Sequence, residues 1–446
     1  MNLSALLAER VAQDKPVRVG LIGAGKFGSM ILAQAKHIAG LHVVGIADLN
    51  MAKAKASLSR VHWEPERYAA RSMADAVASG ATHLTDDVAQ LFACSEVEVI
   101  IEATGHPIAG VRHALAAIEA GKHVVMVNVE ADVLCGAVIA ERARQAGVVY
   151  SMAYGDQPAA ICELVDWVHT CGFELIAAGK GMNFCPGYRY STPDTVWDYF
   201  DFSEEQVASG DFNPKMYNSF TDGTKAAIEM AAVANATGMD CPTDGLAFPP
   251  AGLQDLAEVF KPASDGGRLE KTGIVDIAAS REPDGRVVLN NIQYGMFVTF
   301  RAPDEYTRQC FNQYGLMTDR SGWYGSMWRP FHLIGLETSV SVLSAALRNE
   351  PTGMSKRYRA DAVATAKGDF AAGDMLDGEG GFKVWAKAIP ATRAAECNAL
   401  PIGLAHHVRL KRPIKRDQIV TLDDVEVVDD LDIHALRVEQ NQLLDR

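Results

Sequence analysis

At 446 residues and 48% hydrophobic content, the chain has material for two or three domains, each with its own core. Its 42 Lys and Arg against 56 Asp and Glu give a net charge of −14, with one dense basic run around Arg409-Leu-Lys-Arg412, which argues against a nucleic-acid partner. Eight cysteines without Cys-x-x-Cys spacing read as reduced thiols of a cytoplasmic protein. The opening MNLSALLAERVAQDK, which carries Glu9, lacks the basic start and long apolar core of an export signal or membrane anchor.

From Val17 the apolar run VRVGLI enters Gly23-Ala-Gly25-Lys26-Phe27-Gly28, followed by a helical pattern and a second apolar strand, LHVVGIAD. In such a junction the first glycine permits the tight turn, the second lets a pyrophosphate approach the backbone, and the third lets helix and strand pack closely. The amides at the helix start then attract phosphate. Asp48, 20 positions beyond Gly28, stands where a carboxylate binds the ribose hydroxyls of NAD, whereas Asn50, Lys53 and Lys55 offer charge for a 2′-phosphate. Cofactor choice stays open between NAD and NADP.

Helices and apolar strands then alternate to about Gly155, which predicts a parallel sheet wrapped by helices. EVEVIIEATG ends in Thr104-Gly105, a second junction facing the cofactor. HVVMVNVEAD ends in Asn128, Glu130 and Asp132. Asn128 suits the nicotinamide ribose. Glu130 and Asp132 either hold a divalent ion or orient a substrate hydroxyl, or else Asp132 caps the following helix and Glu130 complements its dipole.

Beyond Asp156 the loops lengthen, and 156–345 reads as an α+β catalytic and subunit-contact domain. Lys180 stands between glycines at a strand end, with space around its ammonium for a carbonyl oxygen or phosphate. The loop CPGYRYSTPD carries Arg189, able to fork onto a phosphate, then Tyr190, Ser191 and Thr192. It reads equally as a lid and as a surface connection. Ser219 to Lys225 opens a strongly helical run with Asp222 as N-cap, Thr221 and Thr224 hydroxyls near the helix amides, and Lys225 with Glu229 at i,i+4. HLIGLETSVSVLSAALRN is a core helix that packs back on the first domain. The tail, 346–446, reads as strand, polar turn and strand twice over, a small β-rich domain. No histidines stand at metal-ligand spacing and no Gly-x-Ser-x-Gly elbow occurs.

The segments GAGKFG, EATG, VNVEAD, GKG, STPDTVW and DGTKAAIEMAAVANATG together resemble the deoxyxylulose phosphate reductoisomerase-like family of bacteria, whose members look like distant relatives of homoserine dehydrogenase with a C-terminal SAF-like domain. The tail is similar to that domain. The resemblance implies conversion of 1-deoxy-D-xylulose 5-phosphate to 2-C-methyl-D-erythritol 4-phosphate in isoprenoid precursor synthesis, with NADPH and a divalent metal, Mn or Mg. Under it, Glu130, Asp132 and Glu229 are the candidate metal ligands and Lys180 or Lys225 serves the carbonyl oxygen. Arg189 with Tyr190, Ser191 and Thr192, or the helix start with Ser219 and Thr224, holds the phosphate. Val129-Glu130 stands where homoserine dehydrogenases carry a lysine soon after the asparagine. The alternatives are an NAD(P)-dependent oxidoreductase acting on another small hydroxy acid, amino acid or sugar acid, and a non-catalytic cofactor sensor or scaffold. Long apolar helices and runs such as YGMFVTF point to a homodimer or larger homo-oligomer.

Overall fold

The computed structural model describes residues 2–200, 202–209, 212–426 and 431–444. The chain divides into two compact units: residues up to Ala160 with Leu333–Lys356, and Ile161–His332 with the segment from Arg357 onward.

The first unit is built on β1 (Val17–Ile22), β2 (Leu41–Ala47), β3 (His83–Thr85), β4 (Val99–Glu102), β5 (His123–Met126) and β6 (Tyr150–Met152). They form one parallel sheet in the order β3-β2-β1-β4-β5-β6. β4 is buried along its whole length and β1 almost so, which is why both read as unbroken apolar runs rather than alternating ones. Strand order reverses between β1 and β4, and in doubly wound sheets that reversal opens a crevice at the carboxyl ends of the strands. The core of Val19, Leu21, Leu32, Ile46, Val99 and Ile101 is extended by Leu3 and Leu7 of the first helix and by Val342 and Leu343 of helix Ser339–Arg348.

The second unit carries β7 (Glu174–Met182), β8 (Ile274–Ala279), β9 (Met296–Arg301) and β10 (Tyr324–Arg329) in the order β10-β9-β7-β8, antiparallel except for β7 and β8. Its C-terminal portion adds β11 (Ala360–Ala366), β12 (Met375–Asp377), β13 (Val384–Pro390) and β14 (His406–Arg409), paired β11 with β13 and β12 with β14. Helix Thr224–Thr237 is buried on every side through Ala236, as its nearly all-round apolar sequence demands, because it packs against β8 and against β11 and β13. Asn235 ties the helix to β11: its Oδ1 accepts the amides of Arg359 (2.7 Å) and Ala360 (2.9 Å), and its Nδ2 donates to the Ala360 carbonyl at 3.1 Å. The residues from Arg357 onward thus fold together with the middle of the chain. Among the described residues no disulfide joins any of the eight cysteines, and Cys135, Cys185 and Cys241 are buried. Among the described residues, no helix is long and apolar enough to cross a membrane.

Candidate active-site residues

The glycine loop after β1 has the expected geometry. Gly23 sits at φ +92°, and a Cβ there would lie 2.7 Å from the Ala103 carbonyl oxygen; a Cβ on Gly28 would run into the carbonyl oxygen of Gly23. Gly25 has open space where its Cβ would be, so a ligand can approach that backbone closely. Gly25 is also the cap of helix Lys26–Ala35 and supplies no side-chain acceptor, which leaves the amides of the first turn for an anion. Lys26 is exposed, and Phe27 packs on the core below. Asp48, at the end of β2, accepts the Ala24 amide through Oδ2 and the Asn50 amide through Oδ1, both at 2.8 Å. This fixes the carboxylate beside the loop. Asn50 caps helix Met51–Arg60, on which Lys53 and Lys55 are exposed. These residues fit a bound dinucleotide.

Thr104 and Gly105 are exposed after β4, with Gly105 at φ +71°. Thr104 donates to the Oε1 of Glu102 at 2.5 Å, an oxygen that also lies 3.2 Å from the Nδ1 of His113. Glu102 is wholly buried at the strand end, and its Oε2 has no partner among the described residues. Sequence reasoning passed over Glu102 because it closes an otherwise apolar strand. Asn128 is spent on the fold: it caps helix Val129–Ala146, accepting the Ala131 amide at 3.2 Å and donating to the His106 carbonyl at 3.0 Å.

The helix is capped by Asn128, so Asp132 is not its cap. The Asp132 side chain is buried and accepts from the Tyr150 hydroxyl (2.8 Å) and the Ser355 hydroxyl (2.7 Å). Burial outweighs these bonds and raises its carboxyl to about 6. Glu130 is half-buried in the first turn. Among the described residues, no three His, Cys, Asp or Glu side chains gather as a metal ion requires.

Lys180 lies near the end of β7, as expected, and its ammonium donates to Glu229 Oε2; both side chains are nearly buried. The flanking glycines serve packing rather than clearing space around the ammonium. A Cβ on Gly179 would strike the Asp276 carbonyl oxygen of β8, and one on Gly181 the Ile292 carbonyl oxygen. Glu229 thus takes a partner the sequence does not suggest, since Lys180 and Glu229 are 49 positions apart. Lys225 is buried in the first turn of helix Thr224–Thr237. Gly223, at φ +88°, is the cap residue there, while Asp222 accepts the Thr224 amide at 2.8 Å and pairs with Lys367 at 2.7 Å. The expected anion site at this helix start is not formed by its hydroxyls. Ser219 donates to the Met216 carbonyl, Thr221 to the Tyr217 carbonyl, and Thr224 accepts the Ala386 amide.

Asp276, at the middle of β8, accepts the amides of Ala247 (3.0 Å), Phe248 (3.2 Å) and Ile277 (2.8 Å), and burial nonetheless pushes it up to about 7. The loop expected to hold phosphate divides. Ser191 is buried, donating to Asn218 at 2.6 Å, and Thr192 closes a local turn with Thr195, so neither is presented to a ligand. Arg189 and Tyr190 line a cleft with Phe184, Phe248, Trp385 and Lys387.

Two family models match the chain. The catalytic domain of oxidoreductase DRL matches residues 155–338, and the NAD-binding domain of homoserine dehydrogenase matches residues 19–152. Neither match extends beyond residue 338 into the expected SAF-like tail. No curated protein matches. Similar solved structures include a probable dehydrogenase from Thermotoga maritima at 13% identity and TM-score 0.38, covering 75% of this chain and 90% of that one. A myo-inositol dehydrogenase from Lactobacillus casei, at 15% identity and TM-score 0.28, covers 41% and 50%. A 3-ketoreductase from Actinomadura kijaniata, at 17% identity and TM-score 0.27, covers 39% and 50%. Both matched family models are oxidoreductase domains and neither is a reductoisomerase, which overturns the resemblance to the deoxyxylulose phosphate reductoisomerase-like family and the isoprenoid reaction it implied. Together with the glycine loop, these matches make the chain an NAD(P)-dependent oxidoreductase.

Proposed function

We propose that the protein is a dehydrogenase of homoserine dehydrogenase-like type that interconverts the hydroxyl and carbonyl forms of a small hydroxy acid, amino acid or sugar acid, with Lys180 serving the reacting oxygen. The observation that carries this reading is the Lys180–Glu229 pair. Burying two charges is costly and gives little net stability, and among the described residues this is the buried pair whose lysine stands near the carboxyl end of a strand, flanked by glycines, which favours use over folding. The nicotinamide supplies hydride transfer when bound. The chain must then supply a group for the oxygen that gains or loses charge. The Lys180 ammonium donates a hydrogen bond or proton to that oxygen, and Glu229 orients the ammonium and stabilises its charge. In the oxidising direction the same pair receives the hydroxyl proton.

For the cofactor, Asp48 supports NAD. Its carboxylate is fixed beside the glycine loop by the Ala24 amide, and a 2′-phosphate would meet that negative charge. Wild type should favour NAD over NADP by roughly tenfold or more, and Asp48→Ser should narrow the ratio.

The reading is tested by following nicotinamide absorbance with L-homoserine, small 2- and 3-hydroxy acids and sugar acids, with NAD and NADP, in the presence of chelator. Chelator-resistant turnover of one of these acids supports it. Turnover only after addition of a divalent ion overturns it, because Lys180 and Glu229 would then not suffice at the reacting oxygen.

A further inference from the structure

Within the second unit, beyond the ends of β7 and β8, lies a cleft of about 1050 Å³, large enough for a whole metabolite. One wall is the face of β13 that carries Trp385 and, two residues on, Lys387. Thr365 lies directly opposite Trp385 in the β11–β13 pairing. The Arg189 guanidinium sits 4.6 Å from the Trp385 ring centroid, 5.5 Å from that of Phe184 and 5.6 Å from that of Phe248. The two phenylalanine rings stack at 4.0 Å. A guanidinium held against aromatic faces keeps its N–H edge available for a planar oxyanion.

Both cations are half-buried, yet among the described residues neither Arg189 nor Lys387 has a hydrogen-bonded or ion-paired partner. Burial, then the guanidiniums of Arg393 and Arg189, lower the Lys387 ammonium from its usual value against the weaker opposing pull of Asp244 and Asp417. Of the two acids lining the cleft, Glu282 makes no ion pair with either cation, and Asp417, which accepts the Tyr190 hydroxyl at 3.0 Å and pairs with Arg416 at 3.9 Å, favours the charge of both cations without pairing with either. Two neighbouring cations, partly desolvated and mutually repelling in a chain of net charge −14, are a cost to the fold that an anion between them removes. Thr365 Oγ1 and Trp385 Nε1, both buried in the same wall, also have no hydrogen-bond partner among the described residues.

We propose that this cleft binds a small organic oxyanion, a phosphate or carboxylate carried on an apolar or aromatic body. Arg189 and Lys387 hold the oxyanion, and Phe184 and Phe248 hold the body. The site draws Trp385 and Lys387 from the C-terminal segment that neither family match reaches.

The test is calorimetric titration of the full chain with inorganic phosphate and with phenyl phosphate, in saturating NAD so that the glycine loop is filled. Both probes should bind saturably, phenyl phosphate more tightly. Lys387→Met and Arg189→Met should each weaken binding by about tenfold or more, and Lys180→Met should leave it unchanged. Lys387→Met should also raise the melting temperature in anion-free buffer and abolish the rise that phosphate gives the wild type. That second readout holds if Arg189→Met fails to fold. Absence of saturable binding by either probe, or equal binding by wild type and Lys387→Met, overturns the proposal. No turnover is required, so its outcome is separate from that of the dehydrogenase reading.

Discussion

Asp132 shows how one side chain's environment makes a prediction about the whole protein's stability. Burial raises its carboxyl from 3.8 to about 6 despite hydrogen bonds from Ser355 and Tyr150. The folded protein therefore holds this proton more tightly than the unfolded chain does. The resulting stability is fully present below about pH 4 and is lost as pH rises through about 6, a difference of roughly 3 kcal/mol. Asp132→Asn should flatten that part of the pH dependence, read by urea unfolding at pH 4.5 and 7.5; an unchanged slope in the variant would show that Asp132 is not its source. The sequence made Asp132 conspicuous but could not say why, because its partners Tyr150 and Ser355 lie 18 and 223 positions away. The same holds for Lys180. Its strand was legible, and its partner Glu229 was not.

At the scale of elements, local signals served best where one element carries its own instructions. Strand, Gly23-Ala-Gly25-Lys26-Phe27-Gly28 and helix could be read directly, since Gly23 and Gly28 answer local steric demands and Gly25 leaves the space open above its backbone. Gly25→Val should fold normally and weaken NAD binding by at least about tenfold, because its Cβ enters only the space left for the pyrophosphate. Gly28→Ala should instead lower thermal stability, since its Cβ meets the Gly23 carbonyl oxygen. Differential scanning calorimetry and NADH fluorescence titration separate the two effects. Helix Thr224–Thr237 was legible as a helix, but its polar start was misread as an anion site: Thr224 serves Ala386 and Asp222 serves Lys367, both in the C-terminal segment. Asn235 works in the same way. Asn235→Ala leaves two amides and a carbonyl of the β11 start without their partner and should cost about 2 kcal/mol or more in chemical denaturation.

For the whole molecule, what the sequence conceals is the way segments are shared. The helix expected to pack back on the first domain does so, with Leu333–Lys356 in the first unit, but the residues from Arg357 onward join the second. That second joining is not marked by composition, because the boundary lies between elements of ordinary amphipathic character. Trp385 and Lys387 were overlooked for the same reason: alternation in VWAKAIP reads as any half-buried strand until β11 and Arg189 are placed beside it. Removing residues 357–446 uncovers helix Thr224–Thr237, which is buried on every side, so the shortened chain should aggregate or lose the cooperative unfolding of the second unit. A soluble truncated protein with an unchanged second transition would contradict that interdependence.

The central claim is that Lys180 serves the reacting oxygen in an NAD(P)-dependent oxidoreductase. The most direct measurement is kcat of Lys180→Met against wild type on the acid that turns over, with the NADH dissociation constant measured on both proteins. The account predicts a fall in kcat of roughly a hundredfold or more with NADH binding unchanged, the loss expected when the group at the oxygen is removed. A variant that keeps kcat within about threefold of wild type would contradict it.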